Sequence, residues 1–196
     1  MSSLDLMGEF LNSIKSKKMK TLIPFILLST ILLSVLTLNT NAQNSDQFND
    51  AEIAAIAVTA NDIDIKYAEI AKEKSKNEEI LNFANTMIND HTAVINQAVE
   101  LVNKLGVEPQ PNSLSKKLNE DAQATREMLQ GKSGRSFDKA YIENEVTYHK
   151  AVIDAVRNVL IPDTENNELK ELLEVVLPAL ETHLEHAEKI QKSVVG

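Results

Sequence analysis

Cysteine is absent from all 196 residues, so the chain has no disulfide and no thiolate to serve as nucleophile or metal ligand. Tryptophan is also absent, and aromatic residues make up only 4%. Glycine and proline number five each, too few for the turn-rich hairpins of an all-β architecture. Cationic residues are the minority, with 20 Lys and Arg against 29 Asp and Glu for a net charge of −9. Such a surface repels phosphate backbones. No basic stripe with interleaved aromatics runs through the chain, which argues against nucleic acid as a partner.

A long apolar run occurs once, from Leu22 to Leu38, 17 residues. It follows Met19 and Lys20, and Thr40 and Ala42 stand at the −3 and −1 places of a small-residue cleavage site. This pattern predicts a signal peptide over 19–42, with 1–18 an upstream extension and Gln43 the new N-terminus. An uncleaved anchor is the alternative, although 17 residues is at the short end for crossing about 30 Å of hydrocarbon. With no cysteine after the run, lipid attachment there is excluded. The expected location is periplasmic or associated with the outer membrane, with no membrane span in the mature chain. Cleavage would leave 154 residues, enough for one domain with its own core. It would remove four lysines and two acidic residues, taking the net charge from −9 to −11.

After a polar linker at 43–49, apolar residues recur at spacings of three and four in four long segments. The first runs from about Asp50 to Lys74 through Ile53, Ile56, Ala60, Ile63, Tyr67 and Ile70. The second runs from Glu78 to Leu105 through Ile80, Ala84, Met87, His91, Val94 and Ala98. It is preceded by Asn77 as a cap and stopped by Gly106. The third is expected over Phe137–Leu160, capped by Ser136, through Tyr141, Ile142, Glu145, His149, Val152 and Val156. The turn IPDTEN follows at 161–166. The fourth extends to about Val194 through Leu169, Leu173, Val176, Leu180, His183, Ala187 and Ile190, and Pro178 should bend it rather than end it. A weaker helix at about Leu114–Gln130 lies in the connector between the second and third. Two tight hairpins joined by one long crossover are the connectivity of ferritin-like bundles. The expected fold is therefore an all-α, ferritin-like four-helix bundle over 50–194, with a short extra helix in the crossover.

His91, His149 and His183 fall on the apolar stripes of three different helices, within about three residues of mid-helix, or roughly 5 Å. Antiparallel packing brings them to one height, and Asp64 on the first helix shares that level. Three imidazoles and a carboxylate suffice for a four-coordinate divalent site. Glu145, one turn before His149, is a further ligand or an acceptor for a ligand's N–H, as is Asp90. Imidazole-rich coordination selects zinc, iron, copper or manganese over magnesium and calcium. A hydrogen-bonded polar core layer is the alternative for the same histidines. His186 lies one turn beyond His183, but Ala187 takes the core place there. The GKS at 131–133 fails as a phosphate loop, because Arg126 stands where its first glycine belongs and no strand precedes it. Tyr67, Tyr141 and Tyr148 read as packing residues that could also donate protons.

The strings MINDHT at 87–92, FDKAYIENEVTYH at 137–149 and LPALETHLEHA at 177–187 together resemble a bacterial family of exported "predicted outer membrane proteins". The family is known as domain of unknown function 4142 and is placed among ferritin-like folds. The resemblance spans about residues 50–192. It implies a ferritin-like bundle and no established activity, with the histidines of the family motifs at His91, His149 and His183 and its first-helix glutamate at Asp64. Ferritin-like di-iron proteins carry a glutamate three residues before each ligand histidine. Those places here hold Ile88, Val146, Leu180 and, for His186, His183. Ferroxidase, oxygenase and iron-storage chemistry therefore lack their bridging carboxylates.

Three functions fit these residues. One is an exported bundle holding a divalent transition metal or a small ligand at the His/carboxylate centre. Another is a non-catalytic envelope protein whose acidic surface binds partner proteins. The third is a metalloenzyme in which Tyr141 or Glu145 moves protons.

Overall fold

A computed structural model describes residues 47–195. The expected extension at 1–18, the signal peptide at 19–42 and most of the linker lie outside the described residues. Helix α1 (Asp50–Lys74) opens on a reciprocal cap, in which Asn49 accepts from the Glu52 backbone N–H and the Glu52 side chain accepts from the Asn49 N–H. Three residues later α2 (Glu78–Leu105) begins, capped by the Asn77 side chain and closed by Gly106 at φ 64, a conformation glycine adopts without steric cost. The crossover carries α3 (Ser113–Gln130), capped by Asn112 and packed chiefly on α1. Then come α4 (Gly134–Ala155) and, after a short turn, α5 (Asn167–Val195). Among the described residues there is no strand. The fold is an all-α bundle of four long helices with a fifth, shorter helix in the crossover.

Two boundaries depart from the sequence reading. Helix α4 starts at Gly134, three residues before the expected Phe137. Ser136 does not cap it, because its hydroxyl donates back to the Ser133 carbonyl (2.8 Å) and Gly134 at φ 54 makes the entry instead. At the other end the helix does not stop at Leu160. A π-helical turn at Val156–Leu160 absorbs one extra residue, and helix resumes over Ile161–Asp163. Pro162 stands in this resumed segment, directly after the π turn. The connection shrinks to Thr164–Asn166, closed by Thr164 N–H and hydroxyl both donating to the Leu160 carbonyl. The Asp50 carboxylate accepts from the Glu165 and Asn166 N–H groups (both 3.0 Å), which fastens the start of α1 to this turn. Helix α5 runs unbroken through Pro178, as expected.

The stripes bury as the spacing dictates. Ile53, Ile56, Ile63, Tyr67 and Ile70 on α1, and Leu169, Leu173, Leu180, Ala187, Ile190 and Val194 on α5, are all buried. The core divides into two apolar clusters. One gathers Phe83, Met87, Phe137, Tyr141 and Ile190 at the end where α1 turns into α2. The other gathers Ile53, Ile56, Val156, Leu160 and Leu173 at the opposite end. The histidines lie between them, in mid-bundle. Replacing Leu180, only 4% exposed, by Ala is expected to cost about 2–5 kcal/mol in urea unfolding. A loss below about 0.5 kcal/mol, the usual size of a surface substitution, would mean the α5 stripe faces solvent.

Candidate metal centre

The bundle brings all five expected residues together. Asp64 and Glu145 are fully buried, and His91, His149 and His183 are 4%, 1% and 6% exposed. The three imidazoles form a triangle with centroids 5.3–5.8 Å apart. One nitrogen from each falls in a single group within 4.8 Å of the others, and so do ligand atoms of Asp64, Glu145 and His149.

Each ring spends one nitrogen on a fixed acceptor. His91 Nδ1–H donates to Asn61 Oδ1 (2.7 Å), and Asn61 is itself oriented by donating from Nδ2 to the Ala57 carbonyl (2.8 Å). His149 Nδ1–H donates to the Glu145 carbonyl one turn earlier (3.0 Å). His183 Nε2–H donates to Asp90 Oδ2 (2.9 Å). The remaining nitrogens, His91 Nε2, His149 Nε2 and His183 Nδ1, are buried and lack hydrogen-bond partners. This is the orienting pattern of metal-ligating histidines, whose outward N–H is held by a carboxylate, carbonyl or amide so that the lone pair faces inward. Leaving such groups unpaired in a dry interior costs free energy that a cation would offset.

Asp64 completes the set. Its Oδ2 lies 2.5 Å from His91 Nε2 and 3.7 Å from His149 Nε2, both without hydrogen-bond alignment. In a tetrahedral site with bonds near 2.1 Å, ligand atoms stand roughly 3.4 Å apart; the His149 separation is close to that value, whereas the His91 contact is the shorter one of an ion pair. The two residue groups overlap at His149, whose Nδ1 is already committed to a carbonyl. Only Nε2 is free to ligate, so the geometry favours one cation rather than two.

Burial raises the Asp64 carboxyl, but the charges of His91 and His149 and the hydrogen-bonding contact with His91 outweigh it, and the group sits well below its usual range. Glu145 behaves oppositely. Burial and the neighbouring Asp64 charge push it well above its usual value, and both of its oxygens lack partners. The two carboxyls are thus pushed in opposite directions, Asp64 towards the ionised form and Glu145 towards the protonated one. Burial lowers His149 and His183, which favours the neutral rings that a metal requires.

These shifts have opposite signs in stability. Depressed histidines in the folded state mean that the unfolded chain takes up protons first as pH falls below about 6.5, so their contribution is lost on acidification. A raised Glu145 works the other way, since the folded protein holds its proton above about 4.5 and this contribution fades as pH rises. Glu145→Gln should therefore make the metal-free protein lose more stability between about pH 7 and pH 5 than the wild type does. Urea midpoints at both pH values in chelator would check this, and parallel profiles would count against it.

Asp90 takes the role of acceptor rather than ligand. His186 does not join the centre; it is exposed and packs edge-on against Phe83 with centroids 5.4 Å apart. Tyr148 donates to the Ala60 carbonyl (2.8 Å), Tyr67 is pushed up to about 12, mainly by burial, and the buried Tyr141 hydroxyl has no partner. Asn61 escaped the sequence reading. Its one signal was its place three residues before Asp64, on the same helical face.

No curated protein and no solved structure matches the chain. One family, described as "Domain of unknown function (DUF4142)", matches over residues 35–190. That span takes in all four long helices but for the last turn of α5, together with every residue of the centre, and the chain belongs to this DUF4142 family.

Proposed function

We propose that the protein is an exported bundle that binds one divalent transition metal, held by His91, His149, His183 and Asp64, with Glu145 as a neutral carboxyl beside it. One observation carries the reading: three rings on three helices each fix one nitrogen outward and turn the other into the same buried space, where the Asp64 carboxylate lies against two of them. The donor set suits zinc, iron, copper or manganese. Elemental analysis of protein purified without a histidine tag, from medium containing all four, should give close to one metal per chain. Less than about a tenth of an equivalent, with no uptake on adding each metal, would refute the reading.

Export rests on the apolar run 22–38 and the small residues at Thr40 and Ala42. No helix among the described residues is long and apolar enough to cross a membrane. The mature chain should begin at Gln43, and an intact mass retaining Met1 or Met19 would remove this part of the proposal.

A further inference from the structure

The three histidines are not equally enclosed. His91 and His149 spend their outer nitrogens on partners fixed inside the bundle. These are Asn61, itself tied to the Ala57 carbonyl, and the Glu145 carbonyl one turn earlier on α4. His183 differs in two respects. Its outer nitrogen meets Asp90 across the seam between α2 and α5, and the Asp90 side chain is 51% exposed. It is also the one ring of the three that turns Nδ1 rather than Nε2 inward.

A divalent ion enters a dry interior only when protein ligands replace its water one by one, because shedding hydration without replacement costs too much. The side of the rings where Asn61, His91 and His149 face Ala57, Val94, Val152 and Leu180 is aliphatic, and no acidic or basic side chain lines that space. The seam offers what that side lacks. A carboxylate that water reaches stands directly behind a ring whose other nitrogen already faces His91 and His149.

We propose that Asp90 and His183 form the entry to the centre. The Asp90 carboxylate takes a divalent cation from solvent, and the His183 ring swings out, binds it through Nδ1 and carries it in to His91, His149 and Asp64. This inference rests on the metal reading above. Nδ1 has no hydrogen-bond partner to give up, and Nε2 keeps its proton throughout, so the transfer needs no proton to move. The swing breaks one hydrogen bond, to a half-exposed group, and the return remakes it.

The test is kinetic. Chelator-stripped, full-length protein is mixed with zinc in stopped flow, with free zinc read by a chromophoric chelator, and an excess of that chelator then reads release. Asp90→Asn keeps an oxygen to accept from His183 Nε2–H but removes the charge. Uptake and release should both slow about tenfold, at the lower end of what charge steering contributes, with the dissociation constant held within about threefold. Asp62→Asn removes the same charge from an exposed position on α1, where Asp62 pairs with Lys66, and should change either rate by less than about twofold. Asp90→Glu, which keeps the charge, should restore uptake. Melting curves of the metal-free variants establish that each is folded. Uptake in Asp90→Asn no slower than in Asp62→Asn, uptake slowed without release, or no rescue by Asp90→Glu would overturn the proposal. In the second case Asp90 only orients His183, a role that changes affinity rather than the path. Wild-type protein that takes up no zinc, copper or manganese would refute the metal reading itself, and the entry with it.

Discussion

Zinc at 100 times its dissociation constant should stabilise the protein by about 2.7 kcal/mol, and His149→Gln should abolish that gain. Glutamine keeps much of the ring's volume and can still donate to the Glu145 carbonyl. It cannot place a lone pair where His149 Nε2 does, between Asp64 and the other two rings. The metal-free stability of the variant should accordingly change much less than its metal response. Affinity should also fall as pH drops below about 6.5, because protons compete for the same nitrogens. Thermal unfolding of chelated and metal-loaded samples, wild type beside variant, measures both effects. Identical melting curves across zinc, iron, copper and manganese would leave the histidines as a core layer and end the metal reading.

Asp64→Asn should destabilise the metal-free protein by about 1–3 kcal/mol, because it replaces the buried carboxylate that lies against His91 Nε2 and His149 Nε2. Asp64 is fully buried, held in its ionised form by His91 and His149, and no solvent can take over its part. Glu145→Gln should instead stabilise the metal-free protein at neutral pH. Burial and the Asp64 charge raise the wild-type carboxyl, so the folded protein holds its proton to higher pH than the unfolded chain does, and the amide removes that cost. Two buried acids in contact with the same histidine thus give substitutions of opposite sign. Urea unfolding in chelator reads both, and equal losses would show that the pair shares its charge rather than dividing into carboxylate and acid.

The helices and their core faces were legible because the spacing of apolar residues carries them directly. Leu169 to Val194 kept its alternation across Pro178, and the structure buries every residue of that stripe except Val176, which is half-buried. Asn77 and Gly106 marked the ends of α2 because their side-chain and backbone chemistry acts within one turn. The start of α4 was placed three residues late because Ser136 has the right chemistry for a cap, while the competing bond to the Ser133 carbonyl depends on the path of the loop. The π turn at Val156–Leu160 was invisible for a similar reason. It packs against α5, and leaves no mark in local spacing.

The candidate centre divides along the same line. Its members follow from the chain alone, since a histidine at mid-height on an apolar stripe must face the common core once the helix packs. Which nitrogen of each ring looks inward does not follow. That choice belongs to Asn61, the Glu145 carbonyl and Asp90, and two of these reach their histidine from another helix. The opposite protonation of Asp64 and Glu145 likewise exists only when burial removes water from both and the histidines favour one of them. Periodicity is a property of each helix by itself, whereas tautomer and charge arise from the distances between helices.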